Sequence, residues 1–383
     1  MDKSIYIKRT LENTLLQYLK YFPVIGITGP RQSGKSTMLL NSLGNKYKYI
    51  SFDDYKNVNL FSEDPERFVK MNNGKVIFDE VQKVPEIFNY IKVIVDKDRL
   101  NYGNFILTGS NQFSIMKNIS ESLAGRIGLL SLLPFDFNEI PDHLKNTSIY
   151  NGGYPELVIR DYKFSNQWYS SYIQTYLERD LKLIINIGDI RDFNQLIKYL
   201  AINTSQILDI SKISRELGIS VNTVKRWISV LEASYIIFLL PPYYMNKGKQ
   251  IVKRPKIYFY DTGLVSYLTG IESEKDFENG VMTGSLFENY IISEVIKKEI
   301  HKKSDANFYF YKTNHGIEID LIIDRKKTQN YIEIKSSYSF KTSFLKSILS
   351  LKEKNQMGIL VYRGDDIPYA QDIKVLNYQN FLK

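Results

Sequence analysis

The sequence predicts an α/β protein in three parts: an N-terminal parallel sheet flanked by helices over residues 1–150, a helical, winged-helix-like middle over 151–245, and a C-terminal α/β domain over 246–383. Three observations predict it. Short β-branched runs alternate with helical stretches through residues 1–140, the pattern of a parallel sheet covered by helices. Residues 160–235 carry helical periodicity instead. Beyond residue 280 a helix leads into two short strands, another helix and another strand.

The bulk properties agree and exclude alternatives. At 383 residues the chain exceeds one ordinary domain. With 43% hydrophobic and 24% charged residues it has material for real cores, which excludes disorder as the main state. There is no cysteine, hence no disulfide framework, thiolate zinc site or cysteine nucleophile. Three histidines make a histidine-rich metal cluster a poor expectation. No apolar run approaches the ~20 residues that span a bilayer, and the opening MDKSIYIKRTLENTLLQYLK lacks a signal-peptide core. The expectation is a cytoplasmic chain without a membrane partner. The net charge of +9 suits a polyanion, and ATP, DNA and RNA all qualify.

In the first part the expected strands are Val24–Thr28, Tyr49–Phe52, Lys75–Phe78, Asn104–Thr108 and Gly128–Leu133. The first runs into Gly29–Ser36, GPRQSGKS, which fits G-x-x-x-x-G-K-[ST] between a strand and a helix. Gly29, Pro30, Arg31, Gln32, Ser33, Gly34, Lys35, Ser36 and Thr37 are the expected nucleotide-binding residues. Glycines let backbone N–H groups curl toward phosphates, and the helix that follows adds its positive end. Lys35 is expected to reach the β- and γ-phosphates and Ser36 to ligate Mg2+. The strand KVIFDE ends in Asp79, expected in the magnesium shell, and Glu80, expected to polarise the attacking water. ILTGS places Ser110 to sense the γ-phosphate. Arg126 in SLAGR is either a finger reaching the nucleotide of a neighbouring copy, which would require a homo-oligomer, or a scaffold arginine.

These motifs in this order, GPRQSGKS, VIFDEVQ, ILTGS and SLAGR, with NGGYPE, YLERDL and YFYDTGL further on, resemble the prokaryotic AAA-type ATPases labelled AAA_14 with DUF4143. The resemblance spans nearly the whole chain. It implies an AAA-like P-loop NTPase fold, ATP binding and hydrolysis, and no particular cellular role.

A joint is expected at Asn151–Pro155, NGGYP. In the middle, Ile213, Leu217, Ile219, Val224, Trp227, Ile228 and Leu231 can form one core around a turn at Gly218. The second helix would then expose Asn222, Thr223, Lys225 and Arg226, as in a helix-turn-helix whose second helix enters a major groove. A helical hairpin that packs domains together fits the same pattern.

In the last part GIEIDLIID alternates. Ile317, Ile319, Leu321 and Ile323 fall on one face, with Glu318 and Asp320 on the other. A hairpin centred near Lys326 and Lys327 sets Asp320 opposite Glu333 and pairs Glu318 with Lys335. Two facing carboxylates repel, and a divalent cation between them would reverse that. On the preceding helix, Ser285–Ile300, Glu288 lies at the edge of the buried stripe, whereas Glu294, with Lys297 and Lys298 as neighbours, reads as solvated. Glu288, Asp320, Glu333 and Lys335 resemble the PD-(D/E)XK nuclease core, which implies acids that hold Mg2+ and a lysine that positions water. A nuclease-like fold used for docking, or a charged hairpin, remains the alternative. The functions in play are an ATP-hydrolysing AAA-type protein acting on or near DNA, an ATP-gated Mg-dependent nuclease, and a nucleotide-dependent protein-interaction switch.

Overall fold

The structure is a computed structural model that describes residues 6–109, 118–119, 121–177, 190–244, 252–314, 316–353 and 356–383. Strands β1 (Val24–Thr28), β2 (Lys48–Ser51), β3 (Val76–Asp79), β4 (Phe105–Thr108) and β5 (Ile127–Ser131) form a parallel sheet in the order β2-β3-β4-β1-β5. Every residue of β1, β3 and β4 is buried, as a sheet covered on both faces requires. Helices α1 (Leu11–Tyr18) and α2 (Lys35–Leu43) cover the face made by Ile25, Ile27, Ile77 and Ile106. Helices α3 (Tyr55–Glu63), α4 (Pro65–Met71) and α5 (Ile87–Lys97) cover the other, made by Val24, Phe78, Phe105 and Leu107. Because β4 lies between β1 and β3, the phosphate-loop strand and the acidic strand are one strand apart rather than adjacent.

The joint at Asn151–Pro155 is a packed contact. Gly152 has φ +80°, and a Cβ there would lie 2.4 Å from the Asp261 carboxylate. Asp261 accepts from Gly153 N–H at 2.7 Å, from Leu264 N–H at 3.0 Å and from the Tyr169 hydroxyl at 2.6 Å. NGGYP and YDTG, far apart in the chain, therefore lock into each other.

The middle contains α6 (Ile190–Ile202), α7 (Ile210–Leu217) and α8 (Val221–Ala233), then an antiparallel pair, β6 (Ile237–Leu240) with β7 (Lys256–Phe259). Gly218 caps α7 in the left-handed region at φ 69°, and Ser220 caps α8. Ile213, Val224, Trp227, Ile228 and Leu231 are buried together, with Leu217 and Ile219 packed against them. β6 and β7 pair across residues 245/246, so a division drawn there cuts one two-stranded unit.

After α9 (Thr262–Thr269) the chain enters α10 (Thr283–Lys302), twenty residues long and buried on most sides. A six-stranded mixed sheet follows: β8 (Asn307–Lys312), β9 (Glu318–Asp324), β10 (Gln329–Lys335), β11 (Met357–Tyr362), β12 (Ile367–Ala370) and β13 (Ile373–Asn377), in the order β12-β13-β11-β10-β9-β8. Helix α11 (Lys346–Leu351) makes the crossover from β10 to parallel β11. The β9–β10 hairpin turns at Lys326, φ 64°, as its centre in the sequence required. The strict alternation expected along β9 does not hold. A register shift opposite Tyr309/Tyr311 sends Ile319 to one side of the sheet, with Ile322, while Leu321 and Ile323 face α10. Among the described residues no helix is long and apolar enough to cross a membrane.

Candidate functional site

The first site sits where β1 meets α2. Gly29 has φ +144°, and a Cβ there would lie 2.1 Å from the Leu132 carbonyl, so only glycine allows the loop to lie this close to the chain leaving β5. Gly34, φ 88°, turns the backbone into α2. A cavity of about 960 Å³ opens above the loop. Arg31, Gln32, Gly34, Lys35, Ser36 and Thr37 line it, together with Glu80 and an apolar side of Ile7, Phe135, Pro155 and Ile159. Gly29 and Pro30 offer it no lining, but their carbonyls accept from Lys35 Nζ at 3.0 and 2.9 Å. Burial pulls the Lys35 ammonium down to about 8, against the upward pull of Glu80 and Asp79.

Asp79 ends β3 behind Ser36. Its carboxylate accepts from the Ser36 hydroxyl at 2.7 Å, and also from Tyr49 on β2 and Thr108 at the end of β4. The strand order explains this, because β2 and β4 flank β3. A hydroxyl and a carboxylate in contact are hard oxygen donors of the kind Mg2+ takes, so the residues fit that ion. Glu80 follows in the left-handed region, φ 57° and ψ 42°, a conformation that costs a non-glycine residue about 1–2 kcal/mol. Its carboxylate accepts from Gln82 and borders the cavity. Burial, then Asp79, raises its pKa.

Ser110 lies outside the described residues. Arg126 does not line the cavity: its guanidinium grips Asp96 on α5 at 2.7 and 3.0 Å and the Ala124 carbonyl at 3.0 Å. Within one chain it holds a loop to a helix.

Sequence reasoning missed Arg9, which is 3% exposed. It donates to Ser33 O at 2.7 Å and Leu133 O at 2.6 Å and pairs with Glu139 at 3.0 Å. The phosphate loop is thereby tied to the segment after β5, and α10 also grips that segment. Lys297 donates to Phe135 O at 2.7 Å, and His301 takes the Leu133 N–H at 3.1 Å and faces Asp136 at 3.0 Å. Asp136, Glu139 and His301 form a buried trio with metal-ligand geometry. Hydrogen bonds from Thr10 and Asp136 N–H to Glu139, and between His301 and Asp136, occupy those atoms instead. Glu294, expected in solvent, is 3% exposed: its carboxylate pairs with Lys297 at 2.6 Å, and burial raises its pKa to about 7.

The second candidate site lies at the other half of α10, where Glu288, Asp320, Glu333 and Lys335 come together. Lys335 Nζ is 2.6 Å from Glu333 and 3.8 Å from Asp320, and Asp320 accepts from Ile334 N–H at 2.8 Å. The expected Glu318–Lys335 pair does not form, because Glu318 pairs with Lys256 and Lys312. Lys256, at the head of β7, stands 2.9 Å from Glu288, 2.7 Å from Glu318 and 3.9 Å from Asp320. Tyr258, two residues on, donates to Glu288 at 2.6 Å. A charged residue opening an apolar strand, with a tyrosine at i+2 on the same face, was the available signal. With an ammonium among these acids, the residues do not fit Mg2+.

On α8, Asn222, Lys225 and Arg226 are exposed. Thr223 is half-buried and bonds the Ser220 hydroxyl at 2.8 Å inside the helix cap, so it is not a free reading residue.

Family comparisons agree with this geometry. A family described as "AAA domain" (AAA_14) matches residues 21–141, a domain of unknown function (DUF8612) matches 143–275, and another (DUF4143) matches 283–381. An uncharacterized protein of Mycobacterium tuberculosis is 27% identical over 349 residues, covering 90% of this chain and 78% of its own. An uncharacterized protein of Methanocaldococcus jannaschii is 24% identical over 331 residues, covering 78% and 71%. Among solved structures, a Walker-type ATPase of Pyrococcus abyssi aligns with TM-score 0.48 and 16% identity over 70% of this chain and 97% of that one. Residues 21–141 are thus an AAA-type P-loop domain of the AAA_14 family, joined to a C-terminal DUF4143 domain over residues 283–381.

Proposed function

We propose that the chain binds and hydrolyses ATP in the cavity above α2 and uses the nucleotide state to move its middle and C-terminal parts on or near DNA. The observation that carries the reading is the set Lys35, Ser36 and Glu80 lining one cavity, with Asp79 bonded to Ser36 behind it. Lys35 now holds two loop carbonyls, and a triphosphate offers it stronger, charged acceptors. Ser36 and Asp79 would hold Mg2+, which when bound neutralises charge on the phosphates. Glu80 borders the same cavity and serves as the base that orients and deprotonates water. Arg31 and Arg160, both lining the cavity, supply further positive charge.

Two connections support transmission to the rest of the chain. The Tyr235 hydroxyl, just after the helix-turn-helix, bonds Thr28 and Ser131 at 2.8 Å each, at the root of the phosphate loop. Arg9 links that loop to the segment held by α10. The exposed Asn222, Lys225 and Arg226 and the net charge of +9 support a DNA partner. The nuclease reading would need a divalent ion where Lys256 stands, so no hydrolytic step on a phosphodiester follows from this geometry.

The test is ATP turnover by the unaltered protein, Lys35→Ala and Glu80→Gln. Glu80→Gln is expected to lose about 100-fold or more in kcat while still binding ATP, and Lys35→Ala to lose binding. Equal turnover by all three would end the proposal.

A further inference from the structure

The C-terminal carboxylates converge on a cation that belongs to the chain. Lys256 is 2% exposed and comes from β7, which pairs with β6 and is no part of the six-stranded sheet. Its ammonium sits at N–H···O distance from Glu288 on α10 and Glu318 on β9, with Asp320 at 3.9 Å. A divalent ion of the magnesium class would draw the same oxygens to about 2.0–2.6 Å and leave no room for the ammonium. The neighbouring positions are also committed. Asp320 Oδ2 takes Ile334 N–H, Glu333 Oε1 takes Lys335, and Lys312 caps the outer oxygen of Glu318. Among the carboxylate oxygens of this cluster, Glu333 Oε2 is buried with no partner.

A tethered ammonium differs from a bound ion in two respects. It cannot dissociate, and its desolvation is settled once, on folding. It also joins two units, adding a charge contact to the backbone hydrogen bonds by which Pro241 and Tyr243 hold the β6–β7 unit to Phe310 of the C-terminal sheet.

We propose that Lys256 is a built-in cation that fills the position where Glu288 and Asp320 would otherwise hold a divalent ion, so that the cluster takes up neither magnesium nor manganese and fastens the β6–β7 hairpin to the C-terminal sheet. Removing the ammonium frees Glu288, Glu318 and Asp320 to close on a divalent ion. The inference does not rest on ATP turnover.

The experiment is Mn2+ titration by calorimetry on the full nucleotide-free chain, in a Ser36→Ala background that weakens the oxygen pair at the phosphate loop. Asp320→Asn is expected to leave the Mn2+ stoichiometry unchanged. Lys256→Met is expected to add one site per chain, lost again in Lys256→Met/Asp320→Asn, and to gain several degrees of melting temperature from Mn2+ that the Lys256 chain does not gain. A site in the Lys256 chain that Asp320→Asn abolishes overturns the proposal. So does a folded Lys256→Met that gains none. If Lys256→Met does not fold, the Asp320→Asn comparison decides.

Discussion

Two lysines stand near carboxylates, one at the phosphate loop and one beside the C-terminal sheet, and their surroundings push them in opposite directions. Burial pulls Lys35 down to about 8, because Asp79 and Glu80 compensate it only in part. Burial also works against Lys256, but Glu288, Asp320 and Glu318 outweigh it and raise Lys256 well above its ordinary value. One lysine borders a cavity of about 960 Å³ and holds two carbonyls that a phosphate can replace. The other has its charge balanced within the chain. An under-compensated cation beside open space awaits an anionic ligand, whereas a fully compensated one is a fastener. Residue types alone do not separate the two cases.

The contrast can be broken experimentally, and the largest effect should come from the fastener. Lys256→Ala leaves buried carboxylates without their counter-charge and is expected to cost about 3–5 kcal/mol in denaturant unfolding. A loss under ~1 kcal/mol would make Lys256 an ordinary surface-type pair. At the open site, ATP at a hundred times its dissociation constant should stabilise the protein by about 2.7 kcal/mol, and Lys35→Ala should abolish that gain in a thermal melt.

The third effect is pH dependence. Burial, then Asp320, raises Glu333 to about 8, and burial, then Asp320 against the opposing pull of Lys256, brings Glu288 to about 7. Both carboxyls bind protons in the folded state that the unfolded chain has released above its ordinary value near 4.5. Their contribution is therefore full below that value and is lost as pH rises toward 8. Unfolding free energy measured from pH 5 to 8 should fall, and Glu333→Gln should flatten the slope by on the order of 1–2 kcal/mol across the window. The smallest effect is at α8. Lys225→Ala/Arg226→Ala should weaken DNA binding and lower the salt slope by about 2. An unchanged slope would assign α8 to packing.

How much of this was legible depends on how local the signal is. GPRQSGKS and VIFDE are contiguous strings at strand ends, and each carries its chemistry with it. The β-hairpin centre at Lys326 and the facing of Asp320 and Glu333 were legible for the same reason, since period-2 geometry and one turn fix them, whereas Glu288, on a helix, joined them only through the resemblance to a nuclease core. Lys256 and Arg9 were not, because tertiary pairing alone brings β7 to α10 and the N-terminal segment to the phosphate loop. Glu294 was misread because its helical neighbour Lys297 is itself buried and reaches Phe135, so two charges that look solvated pair inside. Ile319 was misassigned because a register shift, invisible in a single strand, breaks alternation.

Helix α10 carries Glu288 in its first half and Glu294, Lys297 and His301 in its second. Thirteen residues separate Glu288 from His301, about 20 Å along the axis at 1.5 Å per residue. A helix resists compression, so it behaves as a pushrod with one end pinned beneath the segment that Arg9 ties to the phosphate loop. Under the proposed nucleotide cycle, a displacement of Leu133 or Phe135 would be carried along this rod toward Glu288, the partner of Lys256.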